Sequence, residues 1–172
     1  MIHLNISRDS LDKVQAELAI IFAYEDIRPL KGQAGILDWR LNGQLSRFIL
    51  DHRFNAAKGE ALLMPSGARV GVDQLMILGL GAVDKINDQN IPQYLTLMLQ
   101  KLMAKKTRSF CLTMSDLASG LFEWRNTVRL FISMLSGKDE DYQIYLLEPA
   151  EYVEDARARH MEFAYDVQVR YN

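Results

Sequence analysis

The sequence has little of what marks several large classes of protein. Cys111 is the single cysteine among 172 residues, so an intramolecular disulfide is excluded. No apolar run approaches the roughly 20 residues that a membrane-spanning helix needs. The N-terminus, MIHLNISRDS, also lacks the basic segment and long apolar core of a signal peptide. We therefore expect a soluble cytoplasmic protein without a membrane partner.

The chain also has little excess of charge of either sign. The formal net charge is −2, so no global field favours nucleic acid, and we expect no nucleic-acid partner. The hydrophobic fraction of 49% and the charged fraction of 24% are close to those of ordinary globular proteins. With no internal repeat, low-complexity tract or linker, residues 1–172 are predicted to form a single domain.

Strands and helices alternate along most of the chain. Residues 2–7 alternate apolar and polar, which is typical of a half-buried or edge strand, whereas the apolar run 17–24 is typical of a strand covered on both faces. Further strands are predicted at 59–65, 74–80, 109–114 and 142–148, and helices at 36–52, 92–106, 117–136 and 149–159. This alternation predicts an α/β domain with a mostly parallel sheet between helical layers.

Some positions within these elements carry separate predictions. The cluster KGQAG at 31–35 is predicted to break regular structure, and Gly43, inside the helix 36–52, to admit a closely packed backbone. Asn90 is predicted to cap the helix 92–106, with Pro92 in its first turn. Cys111, within a predicted strand, is expected to be a buried and unreactive thiol.

The segment QLMILGLGAVDK, residues 74–85, has the outline of a nucleotide-binding loop. In the dinucleotide fingerprint G-x-G-x-x-G a third glycine follows, but here that position is Asp84, whose charge would face a pyrophosphate. No Lys-Ser or Lys-Thr pair follows either, which excludes a P-loop. A tight turn at the end of a strand is the favoured interpretation. Ligands still bind at that edge of α/β sheets, so the candidate ligand residues there are Gly79, Leu80 and Gly81.

Two other segments invite a ligand interpretation. Ser115 and Asp116 also follow a predicted strand and are candidate ligand residues, although helix N-capping is the commoner use of such residues. The Asn-Ala-Ala of residues 55–57 is similar to the NAAN loop of ADP-ribose-binding macro domains. That loop should follow a strand and precede a glycine-rich diphosphate loop, and neither is predicted here.

The order of several motifs resembles a known family. In succession come LAIIFAY, LDWRLNGQLSRFI, FNAAKGEALLMP and QLMILGLG. This order resembles the amino-terminal domain of the M17 leucyl aminopeptidases, over about residues 15–150. Gly120-Leu121 is similar to a later Glu-Gly-Leu segment of that domain, without the Tyr-x-Phe that usually follows. The matching positions are Leu37, Asp38, Gly43, Phe54, Lys58, Gly59, Glu60, Gly79, Leu80 and Gly81.

The resemblance implies a fold and a loss of activity. The fold is a macro-domain-like, three-layer α/β/α sandwich with a mixed, mostly parallel central sheet. The family carries its metal ions and its catalytic lysine and arginine in a separate carboxy-terminal domain. No segment here matches that domain's Asp-Lys-Ala-Gly-Met-like or Asn-Ala-Glu-Gly-Arg-like motifs, and the chain ends at Asn172 before such a domain could begin. We therefore expect no catalytic residue, no metal and no cofactor.

The residues themselves offer little independent chemistry. His3, His52 and His160 each lack a second histidine or cysteine at ligand spacing. The acidic run KDEDY at 138–142 is more typical of a solvated turn than of a cation site. Candidate interface residues are tryptophan–arginine pairs on predicted helices, with burial against the sheet as the alternative: Trp39 with Arg40, and Trp124 with Arg125.

Three functional hypotheses follow. The first is a non-catalytic, stand-alone relative of the aminopeptidase domain that acts as a binding, assembly or regulatory module, with a protein partner or as a homo-oligomer. The second is a domain that binds a small ligand, such as a nucleotide or an ADP-ribose-like compound, near Gly79–Gly81 and Ser115–Asp116. The third is one part of a split metallo-aminopeptidase whose catalytic domain is elsewhere.

Overall fold

The computed structural model describes residues 1–118, 120–138, 140–163 and 166–172, and these residues form one sheet flanked by helices. The strands are β1 (Ile2–Ser7), β2 (Ala16–Ala23), β3 (Ala61–Pro65), β4 (Val72–Gly79), β5 (Ser109–Leu112), β6 (Tyr142–Leu147) and β7 (Val167–Tyr171). The helices are α1 (Gly32–Arg40), α2 (Gln44–Leu50), α3 (Ile91–Lys105), α4 (Leu121–Leu135) and α5 (Ala150–Ala158).

The sheet is mixed but mostly parallel, as predicted. Its strand order is β3-β4-β2-β5-β6-β1-β7. Only the pairing of β3 with β4 is antiparallel, and every other described pairing is parallel. The carboxyl ends of six strands therefore share one edge of the sheet, and the loops that follow β4 and β5 lie on either side of the end of β2.

Two apolar cores lie on the two faces of this sheet. Along β2, Leu18, Ile20 and Phe22 join the core beneath α3, α4 and α5, whereas the alternate residues face α1 and α2. The alternation follows from the two-residue period of a strand. The three-layer α/β/α sandwich is thus confirmed. None of the described helices is both long and apolar enough to span a bilayer.

The predicted helix 36–52 is in fact two helices. Gly43 separates them in a left-handed conformation, at φ +74°. Because nothing lies within 4 Å of where its Cβ would be, the prediction of a closely packed backbone was wrong. Asp38 fixes the junction, since it accepts hydrogen bonds from the Ser46 N–H at 3.0 Å and from the Ser46 hydroxyl at 2.5 Å. The prediction that residues 31–35 break regular structure was also wrong, because Gly32–Gly35 form the first turn of α1.

Other boundaries shift for identifiable reasons. β1 is not an edge strand, because β7, which was not predicted, pairs with it on the side away from β6. Asn90 occupies the N-cap position of α3, but its side chain bonds to Lys85 and Asn87 instead of capping the helix. Pro92 lies in the first turn as predicted. The helix expected at 117–136 begins at Leu121, and Ser119 lies outside the described residues.

Candidate functional site at the carboxyl edge of the sheet

The Gly-Leu-Gly loop after β4 is closed by its own backbone. The N–H groups of these three residues each donate to a main-chain carbonyl, at 2.7 to 2.9 Å; the acceptors are Glu60, Ala23 and Ala56. A Cβ at Gly79 would lie 2.3 Å from the carbonyl oxygen of Ala57, so only glycine fits there. Gly81 adopts φ +76°, which glycine tolerates best. The geometry of the loop is that of a tight turn, with no N–H left for a phosphate.

The segment resembling a macro-domain NAAN loop has the same role. Its backbone at Ala56 and Ala57 packs against Gly79 and Gly81. The Glu60 carboxylate accepts the N–H groups of Asn55 and Ala57, at 3.0 and 3.1 Å. Residues 55–57 therefore brace the Gly-Leu-Gly turn, and the N–H groups of Asn55 and Ala57 are already bonded within the chain.

The loop after β5 differs from the Gly-Leu-Gly turn, because it borders a cavity. Ser115 and Asp116 line a cavity of about 270 Å³ between the end of β2, the loop leading to α1 and the first turn of that helix. The cavity brings these two predicted residues together, but Gly79, Leu80 and Gly81 do not line it. Its remaining wall residues are Phe22, Ala23, Tyr24, Ile27, Leu30, Lys31, Gly32, Ala34 and Val83.

The side chain of Asp116 lies at the N-terminus of α1. Its Oδ2 accepts the N–H of Gln33 at 3.1 Å, and a Cβ at Gly32 would come within 2.7 Å of Oδ1. The Tyr24 hydroxyl donates to the main-chain oxygen of Asp116 at 2.7 Å, which ties the end of β2 to this turn. Burial raises the pKa of the Asp116 carboxyl, opposed by the Gln33 hydrogen bond.

Glu148, which the sequence analysis missed, holds the same turn from the other side. It follows β6 directly and is 4% exposed. Its carboxylate accepts the N–H of Met114 at 2.7 Å and that of Ser115 at 3.2 Å. Burial raises the pKa of Glu148 to about 7, although these donors favour the charged form. The one available signal was an acidic residue directly after a buried strand.

The indole of Trp124 lies against this turn from α4. Its N–H favours the charged form of Glu148 but makes no hydrogen bond of good geometry with any described residue. The indole also packs edge-on against the ring of Tyr152, with ring centroids 5.4 Å apart. Trp124 is therefore a core residue, and its burial removes it from the interface candidates.

The other three interface candidates lie in different settings. Trp39 is 78% exposed on the outer face of α1. Arg40 pairs with Asp12 at 3.1 Å. Arg125 pairs with Asp155 at 2.7 Å in a largely buried bridge between α4 and α5. Of the four interface candidates, Trp39 is therefore the one that is mostly exposed to solvent.

The other reactive side chains considered from the sequence are buried or paired with another residue. Within the described ranges, no group of three histidine, cysteine, aspartate or glutamate residues could hold a metal ion. Cys111 is buried as predicted, and burial raises the pKa of its thiol to about 12. In the acidic run 138–142, Asp139 lies outside the described residues. Glu140 pairs with Arg108, and Asp141 pairs with the N-terminal ammonium at 2.8 Å.

Comparison with known proteins agrees with this fold. The N-terminal domain of the cytosol aminopeptidase family matches residues 20–136, more than half of the chain. A probable cytosol aminopeptidase of Alkaliphilus oremlandii (strain OhILAs) is 23% identical over 118 residues, which are 69% of this chain and 24% of that protein. The matched stretch thus spans about a quarter of this curated relative.

Two solved structures share the architecture. A mutant of tomato leucine aminopeptidase is similar with a TM-score of 0.63 and 16% identity, over 91% of this chain and 35% of that one. The Trypanosoma brucei macrodomain in complex with ADP is similar with a TM-score of 0.63 and 15% identity, over 87% of this chain and 64% of that one. The fold is macrodomain-like, and the chain belongs to the cytosol aminopeptidase family through that family's N-terminal domain.

Proposed function

We propose that this domain is a non-catalytic binding module that docks onto protein through the outer face of α1. The observation that carries the proposal is Trp39, whose side chain is 78% exposed. Ile36, one turn earlier on the same helix, is 51% exposed. Exposed apolar residues grouped in this way mark interaction sites, and tryptophan is enriched among residues that dominate binding energy.

A depression lies beside the tryptophan. It has a volume of about 410 Å³, and Trp39 forms one of its walls. The other wall residues are Pro29, Leu30, Gly35, Asp38, Asn42 and Gly43. A protruding ring next to a depression on one face suits an isologous two-fold contact, in which each ring enters the other depression. The occupant we propose is a second copy of this chain.

The non-catalytic part of the proposal rests on the family match. The match is confined to the N-terminal domain, and the matched stretch is a quarter of the curated relative. We expect no hydrolysis of leucine-p-nitroanilide by this chain with added manganese or zinc. Hydrolytic activity that co-purifies with this chain, in proportion to its concentration, would contradict this part of the proposal.

The docking surface is tested by comparing Trp39→Ala with Phe122→Ala. Phe122 is a matched control because it is a 72% exposed aromatic side chain on α4, across the sheet from α1. We expect light scattering after size exclusion to show a dimer for the native chain and for Phe122→Ala, and a monomer for Trp39→Ala. A native monomer at high concentration, or a dimer in both variants, would overturn the proposed contact.

A second function, small-ligand binding, is favoured by the cavity at Ser115 and Asp116. Its position outside the carboxyl ends of parallel strands is where α/β sheets usually bind ligands. One macrodomain of similar fold has been solved with ADP. Saturable binding of any small molecule that Asp116→Asn weakens would support this function.

A further inference from the structure

The cavity beside Asp116 differs in charge from a phosphate site. Phosphates bind at helix N-termini and at turns that present backbone N–H groups, because these groups carry partial positive charge. At this edge the chain fills such positions with its own carboxylates. Asp116 accepts the Gln33 N–H of α1, and Glu148 accepts the N–H groups of Met114 and Ser115.

Beyond the Gly-Leu-Gly turn, the loop after β4 has one N–H group that is also satisfied by a carboxylate. Its Val83 N–H donates to the Asp26 carboxylate at 3.0 Å. An anionic ligand at this edge would therefore have to displace a carboxylate and would then lie beside it. Since like charges at short range are costly where water is excluded, the edge disfavours a phosphate or diphosphate.

The Asp116 carboxylate is itself without a cationic partner. Among the described residues, no lysine, arginine or histidine nitrogen lies within 4.0 Å of it. In the part of the chain that the structure describes, the Gln33 N–H is the one hydrogen-bond donor to this carboxylate. The N-terminus of α1 supplies only a partial positive charge, so a largely buried carboxylate without a full counter-ion is still unfavourable, and a bound cation would relieve that cost. The raised pKa of the Asp116 carboxyl reflects the same lack of compensation.

The rest of the wall is mostly apolar. Aliphatic and aromatic side chains from β2, the loop before α1, the first turn of α1 and the loop after β4 line the same cavity: Phe22, Ala23, Ile27, Leu30, Ala34 and Val83. Lys31 also lines the cavity, but it is exposed. An anionic group on a ligand would therefore find its partner at the mouth and not in the interior.

We propose that this cavity binds a small ammonium compound with an aliphatic body, whose ammonium group pairs with Asp116 and whose body contacts the apolar wall. The inference rests on the proposed small-ligand function and names its ligand class. A protonated amine matches both features of the cavity, because it brings three donors to a carboxylate and an apolar chain to an apolar surface.

Calorimetric titration of the full chain tests the ligand class. The probes are 3-methylbutylamine, the carboxylate of matching shape 4-methylpentanoate, and ADP. We expect the amine to bind and both anions to fail. Asp116→Asn should weaken amine binding by about tenfold or more, which corresponds to about 1.4 kcal/mol. The asparagine oxygen can still accept the Gln33 N–H, so this variant keeps the cap of α1.

Asp26→Asn is the matched control for charge. It removes the same charge from the same edge of the sheet, but Asp26 does not line the cavity. We expect its amine affinity to stay within about twofold of the native value, since exposed charges are screened. Equal weakening in both variants would overturn the assignment to Asp116.

The three probes separate two kinds of failure. If an anion binds, Asp116→Asn changes its affinity and the amine does not bind, then the small-ligand function stands and the ammonium proposal is wrong. If no probe binds at high millimolar concentration, the ammonium proposal is overturned.

Discussion

The Gly-Leu-Gly turn after β4 and the loop after β5 lie on either side of β2 at the same edge of the sheet, yet their backbone N–H groups bond to different acceptors. The N–H groups of Gly79, Leu80 and Gly81 all donate to main-chain carbonyls. The N–H groups of Met114 and Ser115 instead donate to the Glu148 carboxylate, and this loop borders a cavity. A glycine motif can therefore mark backbone packing alone, whereas the buried carboxylates give the neighbouring cavity its negative charge.

The largest effect is expected where the closed loop is tightest. Gly79→Ala places a Cβ 2.3 Å from the Ala57 carbonyl oxygen, so the backbone of the turn must move. We expect a loss of about 3 kcal/mol or more in the free energy of unfolding, measured by urea denaturation. Gly43→Ala is the control, because it has open space at φ +74° and should cost about 1 kcal/mol. Equal costs would contradict backbone packing as the reason for Gly79.

The next effect concerns the Glu148 carboxylate, which accepts N–H groups of the loop after β5. Burial raises the pKa of Glu148 from 4.5 to about 7, so the folded state binds this proton more tightly than the unfolded state does. The resulting stabilisation is fully present below pH 4.5 and is lost as the pH rises through 7. Between about pH 5 and pH 8 this group alone should cost the protein about 2 kcal/mol of stability.

Glu148→Gln should remove that slope. Its amide oxygen still accepts one N–H, but the side chain does not titrate. Urea denaturation across the same pH range should show a flatter profile for the variant than for the native chain. Glu151→Gln, on the exposed surface of α5, should leave the slope unchanged. Parallel profiles for the native chain and Glu148→Gln would show that Glu148 does not titrate between the two pH values.

A smaller effect is expected where β2 is joined to the open loop. Tyr24→Phe removes the hydroxyl that donates to the Asp116 main-chain oxygen at 2.7 Å. The loss of one such hydrogen bond should lower the free energy of unfolding by about 1 kcal/mol, measured by thermal denaturation. Tyr145→Phe is the control, because its hydroxyl makes no hydrogen bond within the described residues. A cost no greater than that of the control would show that this bond does not secure the loop.

Much of the fold could be predicted from the sequence, because periodicity reports burial directly. The continuous apolar run of β2 indicates a strand covered on both faces, and the structure confirms it. The break at Gly43 was missed because the stripe of Leu37, Leu41 and Leu45 continues across both helices. β7 was missed because its exposed, alternating residues pair with β1, far away along the chain.

The site was less predictable, because its chemistry depends on which loops meet. The sequence picked out Ser115 and Asp116 from their place after a strand, but nothing local joins them to Glu148, 33 residues from Ser115 in the chain. The tryptophans show the same limit. Trp39 and Trp124 both precede an arginine in a helix, yet one is 78% exposed and the other is fully buried. Tertiary packing alone distinguishes them.

An NMR titration of the native chain with 3-methylbutylamine, followed through the backbone amide resonances, would distinguish the two loops directly. If the loop after β5 borders an ammonium site and the Gly-Leu-Gly turn is closed, the amides of Tyr24, Gln33, Ser115 and Asp116 should shift together and saturate, while those of Leu80 and Gly81 stay in place. Shifts of Leu80 and Gly81 with ADP, without a response of Gln33 and Asp116 to the amine, would show that the edge binds an anion at the Gly-Leu-Gly turn and no ammonium group in the cavity.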